Sequence, residues 1–503
     1  MKSSMRCLAL LLLGPIAAAC GASSDSGTTG PGQGPGAGGN PAAVASIRIS
    51  PTSDSTVVRR PVTFTATAQN AVGSVVSGTV TWTSSDTDVA RVSPLGVVTP
   101  TDTGQATISA SQGGQSASAT IAVSPAPLTV RGLFTQFEER GAPSGYYDGD
   151  LLQRWDSLDS YVGTTVATEV AAQMDAMRAI GVNTITFELR ATDSVYTGNF
   201  TPPDCNVPPV LGVRWPRPDA SKLANLVKLF DLAQQKGMRI ILSLVNTHMD
   251  QPADTNALWL GPIFTAVGRH PALAFVQFAG DVYVDPGSNS CGTPAEPPLW
   301  LGPTAAPAAY VKWAIGFGQT MGLSPQQLSA EAIVGDAFVQ SQPPAGAGAT
   351  GGHLWDPLGV LKTIFDQLGI PDSLRTYALS FYEHRKCQSP APTGCVDVPA
   401  GPWADSTVRR IFATVGPATR AHIVAIEMGV TPGDPSTTAQ QGLDDLLSRM
   451  ERYGLDGGSY YRWTGFQNSD DGNPSVAVPV KLRGYAYTYT AIKDVLAKHY
   501  GGR

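Results

Sequence analysis

Gly181-Val182-Asn183-Thr184-Ile185-Thr186-Phe187-Glu188-Leu189-Arg190 and Gly237-Met238-Arg239-Ile240-Ile241-Leu242-Ser243-Leu244-Val245-Asn246 are the two stretches that decide the fold. Each is a short apolar run that begins just after a glycine. Each follows a stretch with helical periodicity: Val166, Val170, Met174 and Met177 before the first, and Leu223, Leu226, Val227, Phe230 and Ala233 before the second. The spacing predicts amphipathic helices closed by Gly181 and Gly237, each feeding a strand. Strands that follow helices in this way, apolar on both faces, belong to a parallel sheet covered on both sides.

Outward from this unit the pattern repeats. Strands are expected at 128–136, 182–190, 238–246, 272–279, 328–336, 375–382, 422–428 and 457–463. Further helices are expected near 257–268, 305–321, 356–368, 405–415, 437–453 and 487–498. Eight strand–helix repeats over residues 128–503 predict an α/β domain of the (β/α)8 TIM-barrel class with enlarged loops at 193–219, 285–304, 340–355 and 386–403. A doubly wound sheet is the alternative; it would normally have fewer units, and the Gly-rich first turn of a dinucleotide-binding one is absent.

Before the barrel the pattern changes to period two. Ala45–Ile49, Val62–Ala68, Val80–Thr83, Ala106–Ala110 and Ala119–Val123 alternate apolar and polar residues between turns, which predicts an all-β sandwich over 44–124. Five segments, Ile47–Pro51, Val80–Ser85, Val89–Val92, Gly96–Thr99 and Gly104–Ile108, resemble the successive motifs of bacterial immunoglobulin-like (group 2) domains. That resemblance implies a spacer or adhesion module with Trp82 as its buried core aromatic. Ser124–Pro127 is a stiff hinge.

The chain opens with Lys2 and Arg6, an apolar run from Leu8 to Leu13, and Ala17-Ala18-Ala19-Cys20. This predicts an export signal over 1–19, too short to span a bilayer. Cys20 stands where bacterial lipoproteins carry their acylated cysteine; the resemblance implies a lipid anchor, and Gly21 after it an outer-membrane or surface destination. Residues 21–43 are mostly Gly, Ser, Pro and Thr with almost nothing large and apolar, and read, with Cys20 before them, as a flexible tether over 20–43. Cys205, Cys291, Cys387 and Cys395 remain after the leader, and an even number in an oxidising compartment predicts two disulfides, with Cys387–Cys395 the local pairing. Their spacing is wrong for a metal site, and no metal or other cofactor is expected. The net charge of -6 on 503 residues comes with no basic stripe, which disfavours nucleic acid as a partner. A monomer is expected.

In a (β/α)8 barrel the chemistry lies at the C-terminal ends of the strands. The expected strands place Arg190, His248, Asp281, Asp336, Tyr382, Glu383, Glu427 and Trp463 there. Acidic rims, a tryptophan on the last strand and no phosphate loop suggest sugar chemistry, in which two carboxylates flank the scissile bond and aromatic faces carry sugar rings. The segment Val424-Ala425-Ile426-Glu427-Met428-Gly429, with Arg190 closing strand two, His248 after strand three, Tyr382 on strand six and Trp463 on strand eight, resembles the barrel glycoside hydrolases that include cellulases and mannanases. The resemblance implies a retaining glycosidase on β-linked poly- or oligosaccharides, with Glu427 as nucleophile, Arg190 orienting it, and His248, Tyr382 and Trp463 binding sugar. Strand four departs from the pattern: Gly280-Asp281 stands where the family has Asn-Glu. Asp281 is the expected acid/base, with Glu383 and Asp336 as alternatives. A barrel that has lost its acid, and only binds carbohydrate or adheres to a surface, is the second reading. Asp470-Asp471-Gly472-Asn473 reads as a turn rather than a calcium loop.

Overall fold

The computed structural model describes residues 43–135, 137, 151–159, 163–190, 219–245, 253–280, 306–334, 357–382, 386–387, 395–396, 400–429, 436–461 and 490–501. The N-terminal module holds nine strands, β1 (Ser46–Ser50), β2 (Ser53–Val57), β3 (Val62–Thr63), β4 (Thr65–Gln69), β5 (Thr81–Ser84), β6 (Ala90–Val92), β7 (Val97–Pro100), β8 (Gly104–Gln112) and β9 (Gln115–Ser124). They form sheets ordered β2-β9-β8-β5, β3-β7-β6 and β1-β4. Inward residues Ile47, Ile49, Ala106, Ile108, Ala110, Ile121 and Val123 alternate with exposed polar ones and make one core. The buried aromatic of that core is Phe64, 1% exposed, and not Trp82. Trp82 is half-buried and packs on the edge of the core. The indole is covered instead by the β6–β7 turn, where Gly96 has φ 77° and a Cβ would lie 2.9 Å from the ring.

The second module is the expected closed parallel barrel. Its strands are β10 (Val130–Thr135), β11 (Thr184–Arg190), β12 (Arg239–Val245), β13 (Leu273–Gly280), β14 (Leu328–Ile333), β15 (Thr376–Tyr382), β18 (His422–Gly429) and β19 (Gly457–Tyr461), in that order around the barrel. All eight fall on the expected segments. The first two helices also form as the periodicity predicts. Asp219 caps Ala220–Gln235 by accepting from Ser221 N (2.7 Å) and Lys222 N (3.2 Å), satisfying donors that the helix cannot pair internally. Val166, Val170, Met174 and Met177 are fully buried, as are Leu226, Phe230 and Ala233, while Leu223 and Val227 are half-buried.

The interior of the barrel is layered. Toward the N-terminal ends of the strands Ile241, Phe275, Ala378, Val424 and Ile426 form an apolar plug with Val130 and Ala274. Beneath it the helix Thr490–Tyr500 delivers Tyr500, whose buried hydroxyl donates to Gly458 O (3.1 Å) and Gly132 O (3.3 Å).

The immunoglobulin-like module docks on this closed end. Arg59 of the first module has φ 65°, and its guanidinium donates to Ala421 O (2.5 Å), Gly454 O (2.8 Å) and Thr419 O (3.1 Å). Those carbonyls lie just before β18 and β19. Asp102 accepts two 2.7 Å bonds from Arg452, and Ala126 N donates to Glu451 O. The open end of the barrel therefore faces away from the module that precedes it.

Beside the barrel, β16 (Lys386–Cys387) and β17 (Cys395–Val396) pair antiparallel with Cys387 opposite Cys395. The expected local disulfide is nonetheless corrected: among the described residues no disulfide is found. An even cysteine count in an exported chain carries no information on Cβ positions, which decide whether a bond closes. Cys205 and Cys291 lie outside the described residues, as do residues 1–42, where Cys20, the expected leader and nearly all of the expected tether fall. No helix among the described residues is long and apolar enough to cross a membrane.

Candidate active site at the open end of the barrel

The apolar plug gives way to polar side chains toward the C-terminal ends of the strands. One inward position on each of β12, β13, β14 and β15 carries Ser243, Gln277, Glu331 and Ser380, all at most 3% exposed. Ser243 is the ladder partner of Gln277. Gln277 Nε2 donates to Glu331 Oε2 (3.0 Å), and Ser380 Oγ donates a short bond to Glu331 Oε1. Both oxygens of a buried carboxylate are thereby held, as burial of a charge-bearing group requires. On the other side Thr186 and Ser459 share a 2.7 Å hydroxyl bond across the interior.

Strand β18 continues this belt. Leu379 pairs with Ala425, but the next residue, Ser380, pairs with Glu427. On the other flank Ala425 pairs with Gly458 and Met428 with Tyr460. Both neighbours thus count one extra residue in β18. This is a β-bulge, a device that changes the direction in which a strand presents its next side chain. Val424 and Ile426 belong to the interior plug and Met428 to the outer core, so alternation breaks between Ile426 and Met428. The bulge gives Glu427 the register of inward-facing Ser380.

Among the sequence-derived candidates, Arg190 ends β11, Tyr382 ends β15 and Glu427 stands two residues before the end of β18. The closed barrel brings these three to one end. Asp281 follows the last residue of β13 in the chain, and Glu383 the last residue of β15. Asp281, Glu383, His248, Asp336 and Trp463 themselves lie outside the described residues. No group of three or more metal-binding side chains occurs among the described residues. The sequence reading missed Gln277, Glu331 and Ser380. Their one signal is a polar residue at alternate positions of an otherwise apolar strand, as in Leu328-Ser329-Ala330-Glu331.

Residues 43–123 match the model of a family described as bacterial Ig-like domain (group 2). Ice-binding protein 1 of Shewanella frigidimarina (strain NCIMB 400) is 33% identical over 139 residues, which is 24% of this chain and 15% of that protein. Part of the chain is similar to a GH5-4 broad specificity endoglucanase from Clostridium acetobutylicum, at 13% identity and TM-score 0.43 over 74% of this chain and 97% of that one. It is also similar to a family 5 xyloglucanase from Paenibacillus pabuli, at 12% identity and TM-score 0.42 over 75% and 98%. For an endo-beta-1,4-glucanase from Xanthomonas axonopodis pv. citri the values are 13% and 0.40 over 66% and 90%. At these identities the likeness is one of fold. The chain joins an N-terminal immunoglobulin-like domain to a closed eight-stranded parallel barrel.

Proposed function

We propose that the chain is an exported glycoside hydrolase, lipid-anchored at the cell surface through Cys20, that cleaves β-linked poly- or oligosaccharides with retention. One observation carries this reading: a bulge in β18 sets Glu427 in register with the inward polar belt near the open end of a closed barrel. A glutamate in an otherwise apolar strand at that end has the chemistry of a nucleophile. In the reaction Glu427 attacks the anomeric carbon as Asp281 protonates the leaving oxygen, and water activated by the same Asp281 then releases the sugar. Glu383 and Asp336 are the alternative acids. Arg190 keeps Glu427 ionised and oriented, His248 and Tyr382 bond the sugar next to the cut, and Trp463 lies under its ring.

Gly280-Asp281, with a side chain one methylene shorter than glutamate, favours a second reading in which the barrel binds glycan without cutting it. A panel of β-glucans, mannans, xylans and chitin incubated with the full chain separates the two. Release of new reducing ends supports the hydrolase. Retention on an insoluble glycan with no release from any of them establishes the binder.

A further inference from the structure

Glu331 stands midway along β14 with no place in the reaction just described, yet it is tied to both neighbouring strands, β13 beside its own irregularity and β15 beside the bulge of β18. On one side it accepts from Gln277. Gln277 pairs with Ser243, but the next recorded pair is Val245 with Gly280, so β13 gains a residue immediately above Gln277 and then runs into Asp281. On the other side Glu331 accepts from Ser380. Ser380 is the first residue of β15 to pair beyond the bulge of β18, and its partner is Glu427. The last regular position before one irregularity and the first after the other are thus fastened to a single carboxylate.

We propose that Glu331 is a positioning residue for the glycosidase site. Through Gln277 it fixes β13, which leads into Asp281, and through Ser380 it fixes β15 at the position that pairs with Glu427, and so helps set the separation of the two reacting carboxyl groups. The inference rests on the glycosidase reading. A bulge is a place where a strand can settle in more than one register; side-chain bonds beside it remove that freedom. Retention of configuration requires carboxyl groups about 5–5.5 Å apart, so small slippage of either strand reduces turnover while leaving sugar contacts elsewhere intact. Gln277 Oε1 is buried with no hydrogen-bond partner among the described residues, and the amide's side-chain hydrogen bond is the one from Nε2 to Glu331.

The test uses the full chain and the glycan it hydrolyses fastest. Glu331→Gln keeps the shape of the side chain but turns one acceptor oxygen into a donor facing Ser380 or Gln277. It is expected to lower kcat by about 10–100-fold with KM changed less than threefold, at temperatures where circular dichroism shows the fold intact. Ser380→Ala should give the same split and Ser380→Thr, which restores the hydroxyl, should recover most of the kcat. Should Glu331→Gln fail to fold, the Ser380 pair alone decides. Wild-type kcat in either Glu331→Gln or Ser380→Ala overturns the positioning role and leaves the glycosidase reading standing. No hydrolysis of any glycan by the wild type overturns the glycosidase reading and this inference with it.

Discussion

At the scale of single residues, the base of the barrel holds the clearest coupled charges. His422 Nδ1 lies 3.0 Å from Asp456 Oδ1, and Asp456 Oδ2 accepts from Ile423 N at 2.8 Å. The bond to Asp456 raises the His422 pKa against burial. Burial alone would raise that of Asp456, but His422, the Ile423 amide and Arg59 together hold it below its ordinary value. A raised histidine stabilises fully below its unfolded value and loses that contribution as pH rises through the folded one; a depressed aspartate stabilises above its unfolded value and loses it as pH falls through the folded one. The pair should therefore contribute most between about pH 4 and about pH 6.5. Because the His422 side chain is 49% exposed, solvent screens the interaction. Thermal melts of wild type and His422→Gln should differ most inside that window and converge toward pH 9; a constant difference would contradict the assignment. Single residues were also where sequence was least legible. Trp82 lies in β5 and Phe64 between β3 and β4, both aromatic residues in segments that read as strands, and only packing shows which one the core encloses. Glu331 was unreadable because a barrel strand is buried on both faces, so its pattern does not say which face is the interior.

At the scale of elements, the eight strands could be read because each is an apolar run bounded by a helix and a turn. Their registers could not, since register belongs to a pair of strands and a single run carries no trace of its partner. The bulge that presents Glu427 is such a property. It sits where β18 and β19 approach closely: a Cβ on Gly458 would lie 2.0 Å from Ala425 O and 2.7 Å from Ala425 Cβ. Those atoms belong to the strand just below the bulge and cannot turn aside as a side chain would. Gly458→Ala should cost about 1–3 kcal/mol in urea unfolding and reduce hydrolysis more than that loss of stability explains. Unchanged stability would mean that the two strands are not in contact there.

At the scale of the whole molecule, the immunoglobulin-like module is a fixed base under the barrel. The sequence suggested a spacer behind a hinge, because an arginine in a turn gives no sign that it enters another domain. Arg59 is the main fastening. Burial lowers its pKa, against the attraction of Asp456 and Asp372, and its guanidinium also lies 5.6 Å from the centre of the Phe412 ring. Arg59→Ala should cost the docked state about 1.5–3 kcal/mol and separate two transitions in calorimetry. Arg59→Gly loses the same bonds but relieves the left-handed backbone, and should be about 1 kcal/mol less destabilised than alanine. Coincident melts of wild type and both variants would contradict the docking. The docked module thus meets the closed end of the barrel, opposite the end assigned to the proposed chemistry.

The most direct test of that chemistry is the rate of reducing-sugar release by the full chain with and without Glu427→Gln. Turnover of at least one β-linked glycan is expected for the wild type, with a loss of about a thousandfold or more in the variant and its melting temperature preserved. Equal turnover by the two proteins would contradict it, and would take the nucleophile away from β18.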